Sequence, residues 1–265
     1  MKYVLVTGIS RNIGKSICKK FLQQGYFVVG ICRSITKPEA QAIKKTEKNF
    51  TFFTADFRYK NDITKLIAKL KRHAFDVIVN NAGILNLKKD GAIVNEFNDF
   101  NIDDYEAVIN CNFYAPLRIC LELKENINEN GSIVNIASGG GMRASYATLS
   151  YSTSKAALIN LTQSLSNSFY PFKKIRVNAV SPGWVDPEST GGMAVEAGSA
   201  GSKAALLTAM GRNAKTTEIA DVVYFLTTEE ASFINGANIP VDGGWLNHNV
   251  ICYEEATGKA LIKDE

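Results

Sequence analysis

The chain has 265 residues, 46% of them hydrophobic, enough to bury one sizeable core at a length where α/β folds are routinely one domain. Its 30 basic and 26 acidic side chains leave a net charge of only +4, without the clustered basic stripe that nucleic-acid binding needs. Cys18, Cys32, Cys111, Cys120 and Cys252 include no Cys-x-x-Cys pair and read as buried free thiols in a reducing compartment. No apolar run approaches bilayer-spanning length, and the first strand leaves no room for a signal peptide, so a soluble cytoplasmic protein is expected. His73 and His248 lack ligand partners at metal spacing and read as surface residues; no metal is expected. No Gly-x-Ser-x-Gly elbow surrounds any serine, which disfavours a Ser-His-Asp hydrolase.

Tyr3–Val6 is a short apolar run that predicts a buried strand. Gly8-Ile9-Ser10-Arg11-Asn12-Ile13-Gly14 follows, and then Ile13, Ile17, Phe21 and Leu22 recur at helical spacing. Strand, glycine turn and helix open a βαβ unit whose helix N-terminus offers free N–H groups and a positive dipole end to a phosphate. A phosphate-transferring enzyme built on Gly14-Lys15-Ser16 is opposed by one residue too many between the glycines. Further strands are predicted at Phe27–Cys32, Phe50–Thr54, Val77–Asn80, Ser132–Ile136, Arg176–Val180 and Ala237–Val241, alternating with helical patterns. That alternation predicts an α/β fold, a doubly wound parallel sheet with helices on both faces, as one domain over 1–265. The Gly-, Ala- and Ser-rich span 186–212 is expected to be mobile, and 245–265 reads as an extension over a pocket or a neighbouring subunit.

Tyr151 and Lys155 stand four residues apart, on one face of a helix, with Ser138 thirteen residues upstream. A phenol has a pKa of roughly 10, and an adjacent ammonium is expected to lower it into a usable acid–base range. A hydroxyl from Ser138 would hold a substrate oxygen against the phenol, giving a proton-transfer site for an alcohol or ketone. Each residue also has a plain structural reading. Tyr-x-x-x-Lys recurs by chance on solvated helix faces, Ser138 before Gly139-Gly140-Gly141 fits a strand end, and Asn112 fits a helix residue bonded to a backbone carbonyl. Tyr146 is a rival phenol without a lysine one turn on.

Several segments in order carry a resemblance. The turn after Thr7 resembles the Thr-Gly-x-x-x-Gly-x-Gly turn of the short-chain dehydrogenase/reductase family. Asn12 stands at the middle glycine, where asparagine tolerates a left-handed backbone. Asn80-Asn81-Ala82-Gly83, Asn112, Ser132–Ser138, Tyr151/Lys155, Arg176 to Pro182-Gly183, and Val241-Asp242-Gly243-Gly244 match further landmarks at family spacing. The chain is similar to the single-domain Tyr-x-x-x-Lys type, among them 3-oxoacyl-thioester reductases and related carbonyl reductases. The resemblance implies a Rossmann-type sheet with a nicotinamide cofactor across its carboxyl edge, and Ser138, Tyr151, Lys155 and Asn112 as catalytic residues. Asn112 would hold a water connecting Lys155 to solvent, and Lys155 would also bond the nicotinamide ribose. Cofactor contacts would come from Gly8, Ser10, Arg11, Asn12, Ile13, Gly14, Arg33, Asp56, Phe57, Asn81, Ala82, Gly83, Tyr151, Lys155, Pro182, Gly183 and Val185. Met142, Tyr146 and Trp184 would face the substrate, with 186–212 as its lid. Pro187 replaces the family's usual threonine, a role left to Ser189, Thr190 or the backbone.

NAD-selective relatives carry an acid at the end of the second strand. Here Cys32 holds that place, followed by Arg33, with Arg11 in the turn, which favours NADP(H) over the alternative NAD(H). The expected activity is hydride transfer between nicotinamide and a carbonyl or secondary alcohol. A non-catalytic dinucleotide-binding sensor or scaffold is the rival reading. A homo-oligomer, tetramer or dimer, is expected, with Leu158, Leu161, Thr162 and Leu165 as its apolar stripe.

Overall fold

The short apolar runs become strands of one sheet in the computed structural model, which describes residues 1–34, 47–86, 93–145, 147–186 and 207–248. The strands are β1 (Tyr3–Thr7), β2 (Phe27–Cys32), β3 (Phe50–Thr54), β4 (Phe75–Asn80), β5 (Ile127–Ile136), β6 (Arg176–Pro182) and β7 (Asn238–Val241). Their spatial order is β3-β2-β1-β4-β5-β6-β7, and every pairing is parallel. The chain steps outward from β1 in one direction and from β4 in the other. Connections therefore diverge above the carboxyl ends of β1 and β4, opening a crevice there.

The continuous apolar strands serve two cores at once, because alternate side chains leave opposite faces. Val4, Val6, Val28, Val79 and Val180 meet Ile17 and Phe21 of α1 (Asn12–Gln23) and Ile219 and Val223 of α6 (Thr216–Phe225). On the other face lie Leu5, Val29, Ile78, Ile133 and Val177. They meet α2 (Lys60–Leu70), α4 (Ala115–Glu122) and α5 (Leu149–Lys173) through Ile63, Leu66, Ile119, Leu165 and Phe169. Burying each such side chain contributes roughly 1.5–3 kcal/mol. Among the described residues the remaining α-helix, α3 (Ile102–Ile109), continues through a π turn at Asn110–Tyr114 into α4.

Several details depart from the sequence pattern. Strand β5 begins at Ile127, well before Ser132, because Phe75 pairs with Ile127 ahead of a register shift. The exposed Asn128-Glu129-Asn130 conceals that start from a hydrophobicity reading. Leu158, Thr162 and Leu165 do not form an outward stripe: they are 1%, 0% and 5% exposed, and Leu161 packs on the same core. Thr162 bonds inward, donating to the Leu158 carbonyl and accepting from Asn135. His73 is half-buried between the rings of Phe53 and Phe75, and half-buried His248 meets the Leu207 carbonyl, so neither is a free surface residue.

Cys18, Cys32, Cys111 and Cys120 are buried free thiols, and burial pushes them up to about 12, 11, 11 and 12. Cys252, Tyr146, Pro187, Ser189 and Thr190 lie outside the described residues, as do most of the expected lid and the extension beyond His248. Among the described residues no helix is long and apolar enough to cross a membrane.

Candidate active site

The crevice begins with the turn after β1. Gly8 has φ +77 and Asn12 φ +48, so the asparagine takes the left-handed conformation expected of it. A Cβ on Gly14 would stand 2.1 Å from the Gly8 carbonyl oxygen and 2.4 Å from Asn81 Nδ2, so this approach requires glycine. Asn81 clamps the turn from β4: its Nδ2 donates to the Thr7 and Gly8 carbonyls at 2.8 and 3.2 Å. Thr7 Oγ1 accepts the N–H groups of both Asn81 and Ala82 at 2.9 Å. Thr7 is therefore a structural member of the site that the sequence reading passed over, although it opens the quoted glycine motif. Helix α1 starts at Asn12 with no side-chain cap and no acid in its first turn, leaving its positive end toward the crevice.

Gly14→Ala is expected to cost about 1–3 kcal/mol or more through overpacking, read as a lower urea midpoint at unchanged slope. An unchanged midpoint would contradict the close approach of Gly14 to Gly8.

The opposite wall comes from β5 and α5. Lys155 is 3% exposed, and its Nζ donates to the Ile136 carbonyl at 2.7 Å. That nitrogen lies 5.7 Å from the centroid of the Tyr151 ring. Burial pushes the Lys155 ammonium down to about 8. Tyr151 moves opposite to the sequence expectation. Burial raises its phenol above the ordinary value of 10, and a hydrogen bond with Ser138 only partly offsets this. The physical reason is that helical spacing sets Lys155 near the ring, while its charge is directed to the Ile136 carbonyl.

Ser138 Oγ also accepts the Gly140 N–H at 3.1 Å. The glycine run after it permits a tight fit, since a Cβ on Gly141 would lie 2.7 Å from the backbone of Lys155, and one on Gly139 equally near Trp245. Asn112 is fully buried in the π turn. Its Oδ1 accepts the Ile84 N–H at 2.8 Å, while its Nδ2 donates to the Ile84 carbonyl at 2.9 Å and to Ser154 Oγ at 3.1 Å. It thereby ties the chain leaving β4 to α5.

A cleft of about 630 Å³ joins these parts, lined by Arg11, Asn12, Ile13, Arg33, Arg58, Asn81, Gly83, Ser138, Tyr151, Lys155, Pro182, Gly183 and Val185, with others. An adjoining cavity of about 540 Å³ shares Arg11, Asn12, Ile13 and Arg33 and adds Gly8, Ser10, Gly14, Cys32, Asp56, Phe57 and Ala82. Asn112 lies behind the wall, while Met142 and Trp184 line neither space and are 45% and 39% exposed. Met142 Sδ instead meets Asn238 Nδ2 at 3.2 Å.

Arg58 is an unforeseen cation on this surface. Its Nε and Nη2 hold the two Asp56 carboxylate oxygens, at 3.0 and 2.6 Å, and keep that carboxyl below the usual range. Among the described residues no carboxylate pairs with Arg11 or Arg33.

The family model described as enoyl-(acyl carrier protein) reductase matches residues 8–246. A 3-oxoacyl-(acyl-carrier-protein) reductase of Chlamydia trachomatis serovar D is 32% identical over 251 residues, covering 92% of this chain and 96% of its own length. Among solved structures, ElxO with NADP bound gives a TM-score of 0.79 at 27% identity, covering 93% of this chain and 99% of that one. A 4-hydroxyisoleucine dehydrogenase complexed with NADH also gives 0.79, at 25% identity, covering 94% and 100%. With its parallel sheet, glycine turn and Tyr-x-x-x-Lys helix, the chain belongs to the short-chain dehydrogenase/reductase family of oxidoreductases.

Proposed function

We propose that the chain is an NADP(H)-dependent carbonyl reductase, able to oxidise the corresponding secondary alcohol in reverse. The observation that carries this reading is a single cleft lined both by Ser138, Tyr151 and Lys155 and by Arg11 and Arg33. The glycine cradle at Gly8 and Gly14 and the uncapped start of α1 fit a dinucleotide, because both bring backbone N–H groups close to a phosphate.

When bound, the dihydronicotinamide supplies hydride to the substrate carbonyl carbon. Ser138 donates a hydrogen bond to the carbonyl oxygen and stabilises the charge that develops there. Tyr151 gives its O–H proton to the same oxygen, so the products are an alcohol and a tyrosinate. Lys155 provides positive charge beside that tyrosinate and, at about 8, exchanges protons close to neutral pH. Asn112 holds Ile84 against the Lys155 end of the wall and is the candidate to position a water for proton resupply.

The end of β2 carries no acid: Cys32 closes the strand and Arg33 follows. The guanidinium groups of Arg33 and Arg11 would hold a 2′-phosphate there, with no acid at the strand end itself to repel it. Replacing Arg33 with Ala is expected to weaken NADPH more than NADH by about 1.5–3 kcal/mol, measured by fluorescence titration. A wild-type protein that binds NADH more tightly than NADPH would reverse the cofactor assignment.

The similarity to a 3-oxoacyl reductase makes 3-oxoacyl thioesters the first substrate class to try, beside simple ketones and keto sugars. NADPH oxidation across that panel tests the activity, and tight NADPH binding without turnover of any member would favour a sensor or scaffold. Homo-oligomerisation belongs to the same proposal, through exposed side chains such as Phe97, Phe100 and Phe233 instead of the α5 stripe. Light scattering that shows only monomer at micromolar concentration would exclude it.

A further inference from the structure

Helix α5 places Tyr151 in its first turn, yet its own N-cap residue, Thr148, makes no capping bond. The Thr148 hydroxyl is engaged elsewhere, with Ser145 at 2.6 Å and Ser152 at 3.3 Å. The missing cap comes from a distant part of the chain. Glu96, on the segment between β4 and α3, is only 3% exposed. Its Oε2 accepts the Ser150 N–H at 2.6 Å, and its Oε1 accepts the Ser150 hydroxyl proton. The Glu96 N–H donates to the Ala147 carbonyl at 3.0 Å, so backbone and side chain both grip the entry to α5.

A buried carboxylate is costly unless its charge is answered. Among the described residues no lysine or arginine forms an ion pair with Glu96. The answer is the helix itself: two donors from Ser150 and the positive end of the α5 dipole. A helix running from Leu149 to Lys173 and packed on the sheet does not need such a cap to exist. What a cap controls is fraying of the first turn, and the residue after Ser150 is Tyr151.

We infer that Glu96 is a positioning residue that caps α5 in trans and fixes the Tyr151 phenol against Ser138. This rests on the reading of Tyr151 as the proton donor. The chain that leaves β4 past Asn81, Gly83 and Ile84 in the cleft wall thus returns at Glu96 to fasten the facing wall. The segment after β4 is thus tied to α5 at two points, through Asn112, which bonds both Ile84 and Ser154, and through Glu96 on Ser150.

The test compares full-length Glu96→Ala and Glu96→Gln with wild type by amide hydrogen exchange and by steady-state NADPH oxidation. Glu96→Ala is expected to speed exchange in residues 149–152 by about fivefold to tenfold while the β5 strand remains protected. Its kcat should fall roughly tenfold or more, with NADPH affinity unchanged, because the defect is one of orientation at the reacting centre. Glu96→Gln keeps an oxygen for the Ser150 N–H and should restore most of both quantities. Wild-type exchange in the first turn of the Ala variant would overturn the inference. So would faster exchange at undiminished kcat, or a Gln variant as impaired as Ala. If the wild type reduces no carbonyl compound, the proposed activity fails, while the exchange comparison still decides whether Glu96 holds this turn.

Discussion

Tyr151→Phe is expected to lower kcat by roughly 10²–10⁴-fold, the range associated with loss of a positioned acid. The ring volume is preserved, so the half-buried position stays filled and the cofactor cleft keeps its shape. NADPH affinity should therefore remain within about twofold, because backbone, Arg11, Arg33 and Lys155 would grip the dinucleotide instead of the phenol. Single-turnover kinetics with saturating NADPH measure the first quantity, and fluorescence titration measures the second. Substantial turnover by the phenylalanine variant would remove Tyr151 from the role of acid.

Lys155→Met should damage activity without loss of stability at neutral pH, an unusual pairing for a core lysine. Activity falls because the ammonium beside the phenol and the proposed ribose contact vanish together. Stability changes because burial has lowered the folded-state pKa to about 8, against an ordinary 10.5. Between those values the unfolded chain binds more protons than the folded one, so stability rises with pH across that window. Below about pH 8 the full cost of the buried charge is present, up to a few kcal/mol at about 1.4 kcal/mol per pKa unit. Part of the gain from methionine is offset by leaving the Ile136 carbonyl without its donor. The variant should thus melt no lower than wild type at neutral pH without cofactor, and should lose the rise of melting temperature between pH 8 and 10. A variant several degrees less stable at neutral pH would contradict this account of the buried amine. In the wild type, loss of the same charge should make kcat/KM for reduction fall above about pH 8, while the raised phenol keeps its own proton to higher pH.

The sheet was legible because its strands are buried on both faces and read as unbroken apolar runs. The turn was legible as well, since Gly8, Asn12 and Gly14 report backbone demands that few other residues satisfy. Side-chain direction was not. The spacing of Leu158, Leu161, Thr162 and Leu165 gives a helix stripe but does not say whether it faces solvent or its own sheet. The spacing of Tyr151 and Lys155 likewise gives adjacency, while the partner that takes the ammonium, Ile136, belongs to a strand nineteen residues away. Arg58 sits two residues after Asp56, but only the folded chain shows both beside the crevice. Glu96 is the extreme case: its partner lies 54 residues on, and a lone glutamate in a polar segment carries no periodic signal.

The π turn at Asn110–Tyr114 makes the length of this helical stretch a constraint in its own right. Its widened bond, from the Ala115 N–H to the Asn110 carbonyl, accommodates one residue more than an α-helical turn would hold. On one side Val108 is anchored in the interior, and on the other Ile119, Cys120 and Leu123 are fully enclosed. Rewinding this stretch as regular α-helix at its present length would rotate one half against the other by about 100°. Either Asn112 would swing away from Ile84, or the enclosed apolar side chains would turn toward water. A further inserted residue, which a surface loop would absorb, would here uncouple the interior from the cleft, so this stretch should tolerate substitutions far better than insertions.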